Sequence, residues 1–485
     1  MPLQGWRFSM SLIQHVLPYH HDSAQLFAKI KHLRWPMFLD SAQMLNADSQ
    51  KPASQFGRYD ILVADPAITF VTIGEHTTIE HADKKTTSQE DPFTLIKQTL
   101  LKTPSAHSDY PFTGGALGYF SYDLGRRIEK LPTLALNDTQ MPEMMVGIYD
   151  WAIIVDHREK TTRLVSHQFY TSKDAWDILC ALCAEPSNSS SQTNFRVDSE
   201  IVSNFDEASY QRAFIKVQRY IHEGDCYQIN LAQRFSAQVT GDSWQCYQTL
   251  RSISPAPFMA YMDLSFGDHQ SLQVLSASPE RFLQLTGQQV ETRPIKGTRP
   301  RYDNPEMDLH SAIELVTSLK DRAENVMIVD LLRNDIGKVC ERGSVKAEKL
   351  FNLQSFANVH HLVSFVTGKL DYQYTAVDLL RGCFPGGSIT GAPKLRAMQI
   401  IEELEPHRRG IYCGAIGYIG FDGDMDMNIA IRTAVTINQS IYFYAGGGVV
   451  ADSTHEKEYK ETLDKASNFF TTMQLLKKRA NHRQL

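Results

Sequence analysis

A lysine stands in the middle of PIKGTRPR, residues 294–301. Two prolines and a glycine in this stretch interrupt helices and long strands, so the sequence predicts a tight turn around Lys296. An amine held in a rigid turn can attack a carbon atom of a substrate when the amine is unprotonated. Desolvation and neighbouring cations, here Arg299, lower the pKa of a lysine towards neutrality. From this stretch alone, a charged side chain on a surface loop stays open as the alternative.

Two predicted helices carry carboxylates at positions that suit metal binding. The helical period of DRAENVMIVDLLRNDIG (321–337) places Glu324 beside apolar positions. The final helical stretch, HEKEYKETLDKASNFF, places Glu458, Glu461 and Lys465 on one face. Two such helices can share Mg²⁺, which takes a few protein oxygens and leaves its other positions to water and substrate. The alternative is a structural ion pair on the first helix and a solvated charged face on the second.

Two glycine-rich stretches predict close approach of the backbone to an anion. RGCFPGGSITGAPKLRAM (381–398) runs from a loop into a helix with Lys394 near its start. YAGGGVVADS (444–453) follows a predicted strand, and its glycines allow a ligand to reach backbone amides. Arg432 lies in the apolar stretch NIAIRTAV, where a guanidinium needs an acidic side chain or a ligand carboxylate. Together they predict a pocket for a small polyanion, although glycine loops also serve as plain turns.

Composition excludes several classes of function. The chain has 485 residues, 42% hydrophobic and 21% charged, which is typical of a globular protein with a large core or several domains. A net charge of −6 without a basic block disfavours nucleic-acid binding. No apolar run reaches the roughly 18 residues of a membrane span, and no secretory signal is visible at the N-terminus. Seven scattered cysteines indicate reduced thiols and a cytoplasmic protein.

The chain divides at a predicted linker, PSNSSSQTN (186–194). Strand-like runs, among them residues 147–156 and 426–435, occur in neighbouring pairs between helices. One long helix is predicted at residues 304–332. Paired strands favour an α+β fold, with antiparallel sheets and helices outside, over a doubly wound parallel sheet.

Motifs along the second half of the chain resemble those of the chorismate-utilising enzymes, and the resemblance covers nearly the whole chain. The motifs are GDCYQINLAQRF, SASPERF, TRPIKGTRPR, DRAENVMIVDLLRNDIG, VHHLVS, FPGGSITGAPK, YCGAIGY, IRT, AGGGVVADS and KETLDKA. GGALGYFSYDLGRR and VGIYDWAIIVDH resemble the glutamine-dependent branch of the family. The resemblance implies two packed antiparallel sheets flanked by helices, with chorismate and Mg²⁺ bound between them.

The resemblance also implies a set of site residues. Glu324 and Glu461 would hold Mg²⁺, with Glu458 near it, and the metal would bind the ring carboxylate of chorismate. Lys465 would neutralise charge near the metal. The other implied substrate-binding residues are Arg432 and Tyr412 for the enolpyruvyl carboxylate, Gly297, Thr298, Gly446, Gly447 and Gly448 for the ring-carboxylate side, and His361 for the ring face.

Lys296 separates branches of the family, because anthranilate synthases usually carry alanine at this position. In the route that the resemblance implies, the amine of Lys296 attacks C2 of chorismate and the C4 hydroxyl leaves. Glu280 of SASPERF matches the family's general acid, which protonates that hydroxyl; an ion pair with Arg281 or Arg293 is the alternative. Ammonia then adds at C4 and expels the lysine. The product is 4-amino-4-deoxychorismate, on the route to 4-aminobenzoate and folate.

The resemblance implies ammonia, not water, as the second reactant. Isochorismate and salicylate synthases carry a lysine base where this chain has Gln228, and glutamine cannot deprotonate water. The chain shows no glutaminase pattern, since no cysteine lies in a Gly-x-Cys-x-Gly elbow with a downstream His-x-Glu. A separate glutamine amidotransferase subunit is therefore implied as a partner, and free ammonium should replace it in vitro.

The N-terminal region, residues 1–185, resembles the part of the family that forms a tryptophan pocket, whereas residues 195–480 carry the chorismate-binding motifs. Ordinary core packing is the alternative, because Met259 stands where a small polar residue is more usual. The residues at matching places are Ser41, Phe56, Gly57, Arg58, Tyr59, Pro257, Phe258 and Met259.

Two other functions stay open at this point. An anthranilate synthase large subunit would go on to eliminate pyruvate, and Lys296 argues against it. A non-catalytic, tryptophan-binding scaffold subunit of an amidotransferase complex is the alternative from another class. Such a scaffold would tolerate the loss of Lys296 or Glu280.

Overall fold

The structure is a computed structural model that describes residues 12–42, 57–82, 84–103, 108–185, 194–268, 270–355 and 359–482. Within these ranges the chain forms ten helices and 25 strands. The helices are α1 (Ala24–Ile30), α2 (Pro92–Leu101), α3 (Lys173–Ala184), α4 (Glu207–His222), α5 (Ser243–Ile253), α6 (Pro305–Thr317), α7 (Leu319–Gly337), α8 (Ala376–Cys383), α9 (Lys394–Leu404) and α10 (His455–His482). The strands are β1 (Ile13–Leu17), β2 (Met37–Asp40), β3 (Tyr59–Val63), β4 (Ile68–Ile73), β5 (His76–His81), β6 (Lys84–Ser88), β7 (Gly115–Phe120), β8 (Met144–Tyr149), β9 (Trp151–Asp156), β10 (Thr161–Ser166), β11 (Arg196–Val197), β12 (Val202–Ser203), β13 (Gln228–Thr240), β14 (Phe258–Phe266), β15 (Gln270–Ser278), β16 (Arg281–Thr286), β17 (Gln289–Thr292), β18 (Ile295–Pro300), β19 (Lys346–Ser355), β20 (Val359–Lys369), β21 (Gly391–Ala392), β22 (Ala415–Gly420), β23 (Met425–Ile429), β24 (Thr433–Ile437) and β25 (Ser440–Val449).

The strands form two antiparallel sheets. The larger sheet, of 13 strands, has the order β1-β10-β9-β3-β2-β14-β15-β24-β25-β13-β11, and β12 and β21 pair with β13. The smaller sheet, of 12 strands, has the order β18-β20-β17-β16-β23-β22-β7-β8-β4-β5-β6, and β19 pairs with β20. Each sheet contains strands that precede residues 186–194 and strands that follow them. The division of the chain into two regions at this linker therefore stays a prediction from the sequence.

The sheets pack face to face, and helices cover their outer faces. One buried cluster lies between the sheets; it includes Met37, Met262, Tyr119, Met145 and Ile416. A second cluster joins the larger sheet to α1, α5 and α10, and a third joins the smaller sheet to α2, α7 and α8. The predicted α+β fold with helices outside is therefore confirmed. No helix in the described part of the chain is long and apolar enough to cross a membrane.

Two stretches that were predicted as single strands cross from one sheet to the other. Residues 147–156 form the end of β8 in the smaller sheet and then β9 in the larger, with Asp150 between them. Residues 426–435 form β23 in the smaller sheet and β24 in the larger. The prediction was wrong because an apolar run does not show which sheet each of its residues joins. The second crossing places Arg432 in the seam between the sheets.

The helix predicted at residues 304–332 is two helices. Ser318 ends α6 and is the N-cap of α7, with φ −62° and ψ 110°. Its hydroxyl accepts a hydrogen bond from the backbone N–H of Asp321 at 3.2 Å. A serine three residues before an acid is a helix-start signal, and it overrides the apolar periodicity that runs through the break.

A buried ion pair ties β3 to the end of β9. Nε2 of His157 lies 2.7 Å from Oδ2 of Asp60. Burial opposes the charged imidazole, but the hydrogen bond and charge of Asp60 raise the pKa of His157. Burial also opposes the carboxylate, yet His157 and Ser23 lower the pKa of Asp60. Both side chains are therefore charged at pH values between the lowered pKa of Asp60 and the raised pKa of His157.

We expect His157→Gln to lower the melting temperature more at pH 5.5 than at pH 8.5. Because the folded-state pKa of His157 is raised, its stabilisation is complete below the unfolded value of about 6.5 and disappears as pH rises through the folded value. Thermal unfolding of both proteins across this range measures the difference. A loss that is equal at both pH values would show that the imidazole is neutral and that only packing matters.

Candidate active site

A cavity of about 760 Å³ lies between the two sheets, where β13 and β25 face β18 and β20 and where α7 and α10 close the sides. All of the sequence-predicted catalytic, substrate-binding and metal residues line it except Gly447. The predicted residues on its wall are Glu280, Lys296, Gly297, Thr298, Glu324, His361, Tyr412, Arg432, Gly446, Gly448, Glu461 and Lys465, with Glu458 beside them. Eight separate elements or connections of the chain thus bring one set of residues together.

Lys296 lies on a bulged edge strand, so the prediction of a turn was wrong. Ile295 is opposite Val363 and Thr298 is opposite His361, which leaves one extra residue on β18. Gly297 absorbs this bulge with a φ of +90°. A bulge changes the direction of a side chain within an otherwise paired strand. The stretch reads as a turn in sequence because it contains residues that also permit bulges.

The amine of Lys296 is partly buried in the cavity and donates a hydrogen bond to the carbonyl oxygen of Ser388 at 3.1 Å. Burial lowers the pKa of Lys296, while the nearby carboxylates of Glu324 and Glu280 oppose this shift. Arg299, expected to help lower the pKa, does not line the cavity and instead pairs with two acids. Its partners are Glu314 at 2.9 Å and Asp321 at 3.2 Å.

Glu280 is 6% exposed, and burial raises its pKa to about 7. Lys296 and Lys465 are the cations that oppose this shift. The hydroxyl of Ser388 donates a hydrogen bond to Oε1 of Glu280 at 3.3 Å. A carboxyl group with a pKa near neutrality is able both to donate and to accept a proton at physiological pH.

The arginines considered as ion-pair partners of Glu280 are engaged elsewhere. Arg281 pairs with Asp426 at 2.8 Å, and Arg293 pairs with Glu291 at 2.5 Å. These contacts remove the structural ion pair as an explanation for a buried glutamate at position 280.

Three carboxylates from α7 and α10 meet at one end of the cavity. Burial raises the pKa of Glu324 and of Glu458. Burial also opposes ionisation of Glu461, but Lys465, 2.7 Å away, lowers the pKa of Glu461. Oε2 of Glu458 is buried without a hydrogen-bond partner among the residues that the structure describes. Within the described ranges, no group of three or more His, Cys, Asp or Glu side chains is arranged to hold a metal ion unaided.

Gly447 faces these carboxylates rather than the cavity. A Cβ at this position would lie 2.9 Å from Oε2 of Glu458 and 3.1 Å from Oε1 of Glu461. The glycine therefore provides room for the two acids of α10, and the contact of its backbone with substrate stays a prediction.

Arg432 also lines the cavity, with a φ of +49°. Burial lowers the pKa of its guanidinium, and no hydrogen bond or ion pair joins the guanidinium to another described residue. A largely buried guanidinium without an acid needs an anionic ligand. His361 is its neighbour; burial and the charge of Arg432 lower the pKa of His361 to about 4. The ring of Tyr412 stacks on Tyr444 at 5.4 Å beside them.

The first glycine-rich stretch does not present its lysine to the cavity. Nζ of Lys394 donates hydrogen bonds to Oδ2 of Asp335 at 2.6 Å and to the carbonyl oxygen of Cys383 at 2.8 Å. Ser388 of the same stretch faces the cavity instead. Sequence reasoning missed Ser388 and Asn230, whose position on the cavity wall no spacing rule indicated.

Gln228 is buried beside the cavity but is not part of its wall. Its side chain packs against Gly448, where a Cβ would collide with the amide nitrogen. The carbonyl oxygen of the Gln228 side chain has no hydrogen-bond partner. Gln228 thus supplies a neutral amide at the position where isochorismate and salicylate synthases carry a lysine base.

A second cavity, of about 380 Å³, contains most of the predicted tryptophan-pocket residues. The hydroxyl of Ser41 donates to Oδ1 of Asp60 at 2.7 Å, and Arg58 pairs with Asp156 at 2.7 Å. Gly57 is buried but does not line this cavity, and Phe56 lies outside the described residues. The predicted residues on its wall are Ser41, Arg58, Tyr59, Pro257, Phe258 and Met259.

We expect Gly297→Ala to lower both stability and turnover. A Cβ would lie 2.7 Å from Cδ1 of Leu315, in a left-handed conformation that alanine adopts poorly. Strain and overpacking of this kind cost about 1–3 kcal/mol each, and the bulge that carries Lys296 would shift. Thermal unfolding and steady-state kinetics measure the two effects.

Gly287→Ala is the matched control for this substitution. Gly287 also has a positive φ, +58°, but a Cβ there meets nothing within 4 Å. The control should lose a little stability and no turnover. Equal turnover of the Gly297 and Gly287 variants would show that the bulge does not position the lysine.

Comparison with known proteins agrees with this geometry. A family model described as chorismate binding enzyme matches residues 48–471. Aminodeoxychorismate synthase component 1 from Escherichia coli (strain K12) is 47% identical over 462 residues, which cover 94% of this chain and 98% of that protein. The protein of the same name from Bacillus subtilis (strain 168) is 38% identical over 418 residues, which cover 84% and 88%.

A solved structure has the same fold. The crystal structure of anthranilate synthase component I from Streptococcus pneumoniae TIGR4 matches with a TM-score of 0.74 and 31% identity, over 87% of this chain and 94% of that one. The family resemblance inferred from the motifs is confirmed: the chain belongs to the chorismate binding enzymes.

Proposed function

We propose that this protein adds ammonia to C4 of chorismate and releases 4-amino-4-deoxychorismate, as the large subunit of an aminodeoxychorismate synthase. Aminodeoxychorismate synthase component 1 is the name of a relative that is 47% identical to this chain. The observation that carries the proposal is the place of Lys296: a partly buried amine with a lowered pKa, beside Glu280 in the cavity between the sheets. The resemblance associates alanine at this position with anthranilate synthases.

In the proposed first step the neutral amine of Lys296 forms a bond to C2 of the ring. The two ring double bonds shift, the C4–O bond breaks, and the carboxyl group of Glu280 donates the proton with which the hydroxyl leaves as water. Burial favours the uncharged form of both groups before the reaction, because it penalises the ammonium and the carboxylate.

In the proposed second step ammonia forms a bond to C4 and the ring double bonds shift back. The C2–N bond breaks, and its electron pair returns to Lys296. The carboxylate of Glu280 takes up one proton from the new amino group and is thereby restored. The sum of the steps is chorismate and ammonia to 4-amino-4-deoxychorismate and water.

Binding of the two substrate carboxylates is assigned to separate sets of residues on the cavity wall. The unpaired guanidinium of Arg432, with Tyr412 beside it, would hold the enolpyruvyl carboxylate. His361, neutral at pH 7 because of its low pKa, would lie against the ring. The residues assigned to the ring-carboxylate side are Gly297, Thr298, Gly446 and Gly448, with Lys465 as a nearby positive charge.

The carboxylates of α7 and α10 fit Mg²⁺. A buried oxygen of Glu458 lacks a hydrogen-bond partner in the described part of the chain, and such an oxygen is costly unless a cation or ligand satisfies it. Glu324 and Glu461 would be the protein ligands, and water and substrate would take the remaining positions. Bound there, Mg²⁺ would supply positive charge against the ring carboxylate of chorismate.

The proposal includes a partner and a second ligand. A glutamine amidotransferase subunit would supply ammonia, because the sequence contains no glutaminase pattern, and both proteins would act in the cytoplasm. The cavity of about 380 Å³ would bind tryptophan.

Product identification tests the proposed function. Purified protein with chorismate, Mg²⁺ and ammonium should yield a product that retains the enolpyruvyl group and contains a C4 amine, detected by chromatography and mass spectrometry. Fluorescent anthranilate would overturn the proposal in favour of the anthranilate synthase alternative. No turnover at any pH would favour the scaffold alternative.

A further inference from the structure

One serine contacts both of the groups that are assigned to the chemistry. The carbonyl oxygen of Ser388 accepts the hydrogen bond of Lys296 at 3.1 Å. The hydroxyl of the same residue donates to Oε1 of Glu280 at 3.3 Å. Ser388 lines the cavity and is 8% exposed. The side chains of Lys296 and Glu280 are therefore both hydrogen-bonded to a single residue.

The turn that carries Ser388 is held on both sides by other elements. Arg409 donates to the carbonyl oxygen of Ile389 at 3.1 Å. The backbone N–H of Asn230 on β13 donates to the carbonyl oxygen of Thr390 at 2.9 Å. On the other side, Gly387 packs so tightly against Leu331 of α7 that a Cβ would collide. These contacts prevent the turn from following small movements of Glu280 or Lys296.

We propose that Ser388 is a positioning residue for the amination: its carbonyl anchors the amine of Lys296, and its hydroxyl fixes the carboxyl group of Glu280. The inference rests on the proposed function. A neutral amine that donates one N–H to this carbonyl must direct its lone pair elsewhere. A carboxyl group held by the hydroxyl keeps one rotamer, so the proton it carries has a defined direction.

The hydroxyl also biases the protonation of Glu280. A hydrogen bond donated to a carboxylate stabilises the charged form, and for Glu280 it acts in the same direction as Lys296 on β18 and Lys465 on α10. Loss of the hydroxyl should therefore raise the pKa of Glu280 further above its ordinary value. This sign separates a role at the carboxyl group from a loss of packing.

Kinetics of Ser388→Ala test the proposal. We expect kcat to fall about tenfold or more, since misplacement of a reactive group by about 1 Å costs up to about 10²-fold. KM for chorismate should stay within about twofold. The break that Glu280 produces in the profile of log kcat against pH should move to higher pH. Ser388→Thr keeps the hydroxyl, so its break should lie at the same pH as in the wild type. If alanine unfolds the turn, Ser388→Cys repeats the test with a side chain of nearly the same size as serine.

Ser278→Ala is the matched control. Ser278 is also buried, and its hydroxyl contacts only the backbone of Glu280. It donates to the carbonyl oxygen of Ile429 at 2.6 Å and accepts from the backbone N–H of Glu280 at 3.3 Å, without touching the carboxyl group. The control should lower the melting temperature and leave the pH profile in place. If Ser388→Ala and Ser388→Cys keep the wild-type kcat and profile, or lose activity without a shift of the break, the proposal is overturned.

Infrared titration gives a readout that does not depend on turnover. The C=O band of protonated Glu280, identified by its absence in Glu280→Gln, should titrate at higher pH in Ser388→Ala than in the wild type. An unchanged midpoint contradicts the role of Ser388 even if no amination is found. A shifted midpoint in Ser388→Ala, together with a wild-type enzyme that makes no aminodeoxychorismate, would instead refute the proposed function alone.

Discussion

Lys296→Ala is expected to lower kcat for ammonium-dependent amination by roughly 10³-fold or more, because removal of an enzyme nucleophile leaves only binding and electrostatic stabilisation. KM for chorismate should change little, since the assigned carboxylate-binding groups remain. The protein should fold normally, because a partly buried amine with a lowered pKa contributes little to stability. Steady-state kinetics with chorismate, Mg²⁺ and ammonium provide the measurement.

Intact-protein mass spectrometry adds a direct test of the covalent step. Wild-type protein mixed with chorismate in the absence of ammonia should gain the mass of chorismate minus water, and the gain should be absent in Lys296→Ala. Lys346→Ala, an exposed lysine on β19 of the same sheet, is the control and should behave as wild type. A variant Lys296→Arg with near wild-type turnover would mean that the amine acts through its charge and forms no bond.

Glu280→Gln is expected to lower kcat by about 10²–10⁴-fold, the range for loss of a general acid. Hydroxide is a poor leaving group, and glutamine cannot donate the proton that the C4–O bond needs on breaking. With a pKa of about 7, Glu280 loses its proton as pH rises through neutrality. At constant free ammonia, the slope of log kcat against pH should therefore decrease by one unit near pH 7, and the variant should lack this break.

Glu143→Gln is the control for the pH profile. Glu143 is also buried and burial also raises its pKa, but its carboxylate accepts a hydrogen bond from the backbone N–H of Gly74 at 2.9 Å, outside the cavity. The control should keep the break near pH 7. A break that persists in Glu280→Gln would assign it to another group and remove Glu280 as the acid.

The candidate site was largely predictable because its parts are carried by local motifs. The helical period of α7 and α10 placed Glu324, Glu458 and Glu461 correctly relative to their own helices. Arg432 was singled out because an arginine among apolar residues needs an anion, and no residue that the structure describes pairs with its guanidinium. Such arguments depend on residue type and on spacing within one element, which a sequence contains in full.

Other features depended on contacts between distant segments. The stretch around Lys296 looks like a turn, since proline and glycine permit turns and bulges alike, and only pairing with β20 makes it an edge strand. Ser388 drew no attention because a serine in a glycine-rich loop has many ordinary roles. Arg299 looked like a cation for Lys296, but its guanidinium pairs with Glu314 and Asp321.

The sequence by itself determined the class of fold and the family, because these depend on residue types, periodicity and motif order. Tertiary structure alone decided that the chain crosses between sheets at Arg432, that a bulge directs Lys296 inward, and that burial moves the pKa of Glu280 to about 7. Burial and direction are properties of the packed molecule, since each depends on residues far away in the chain.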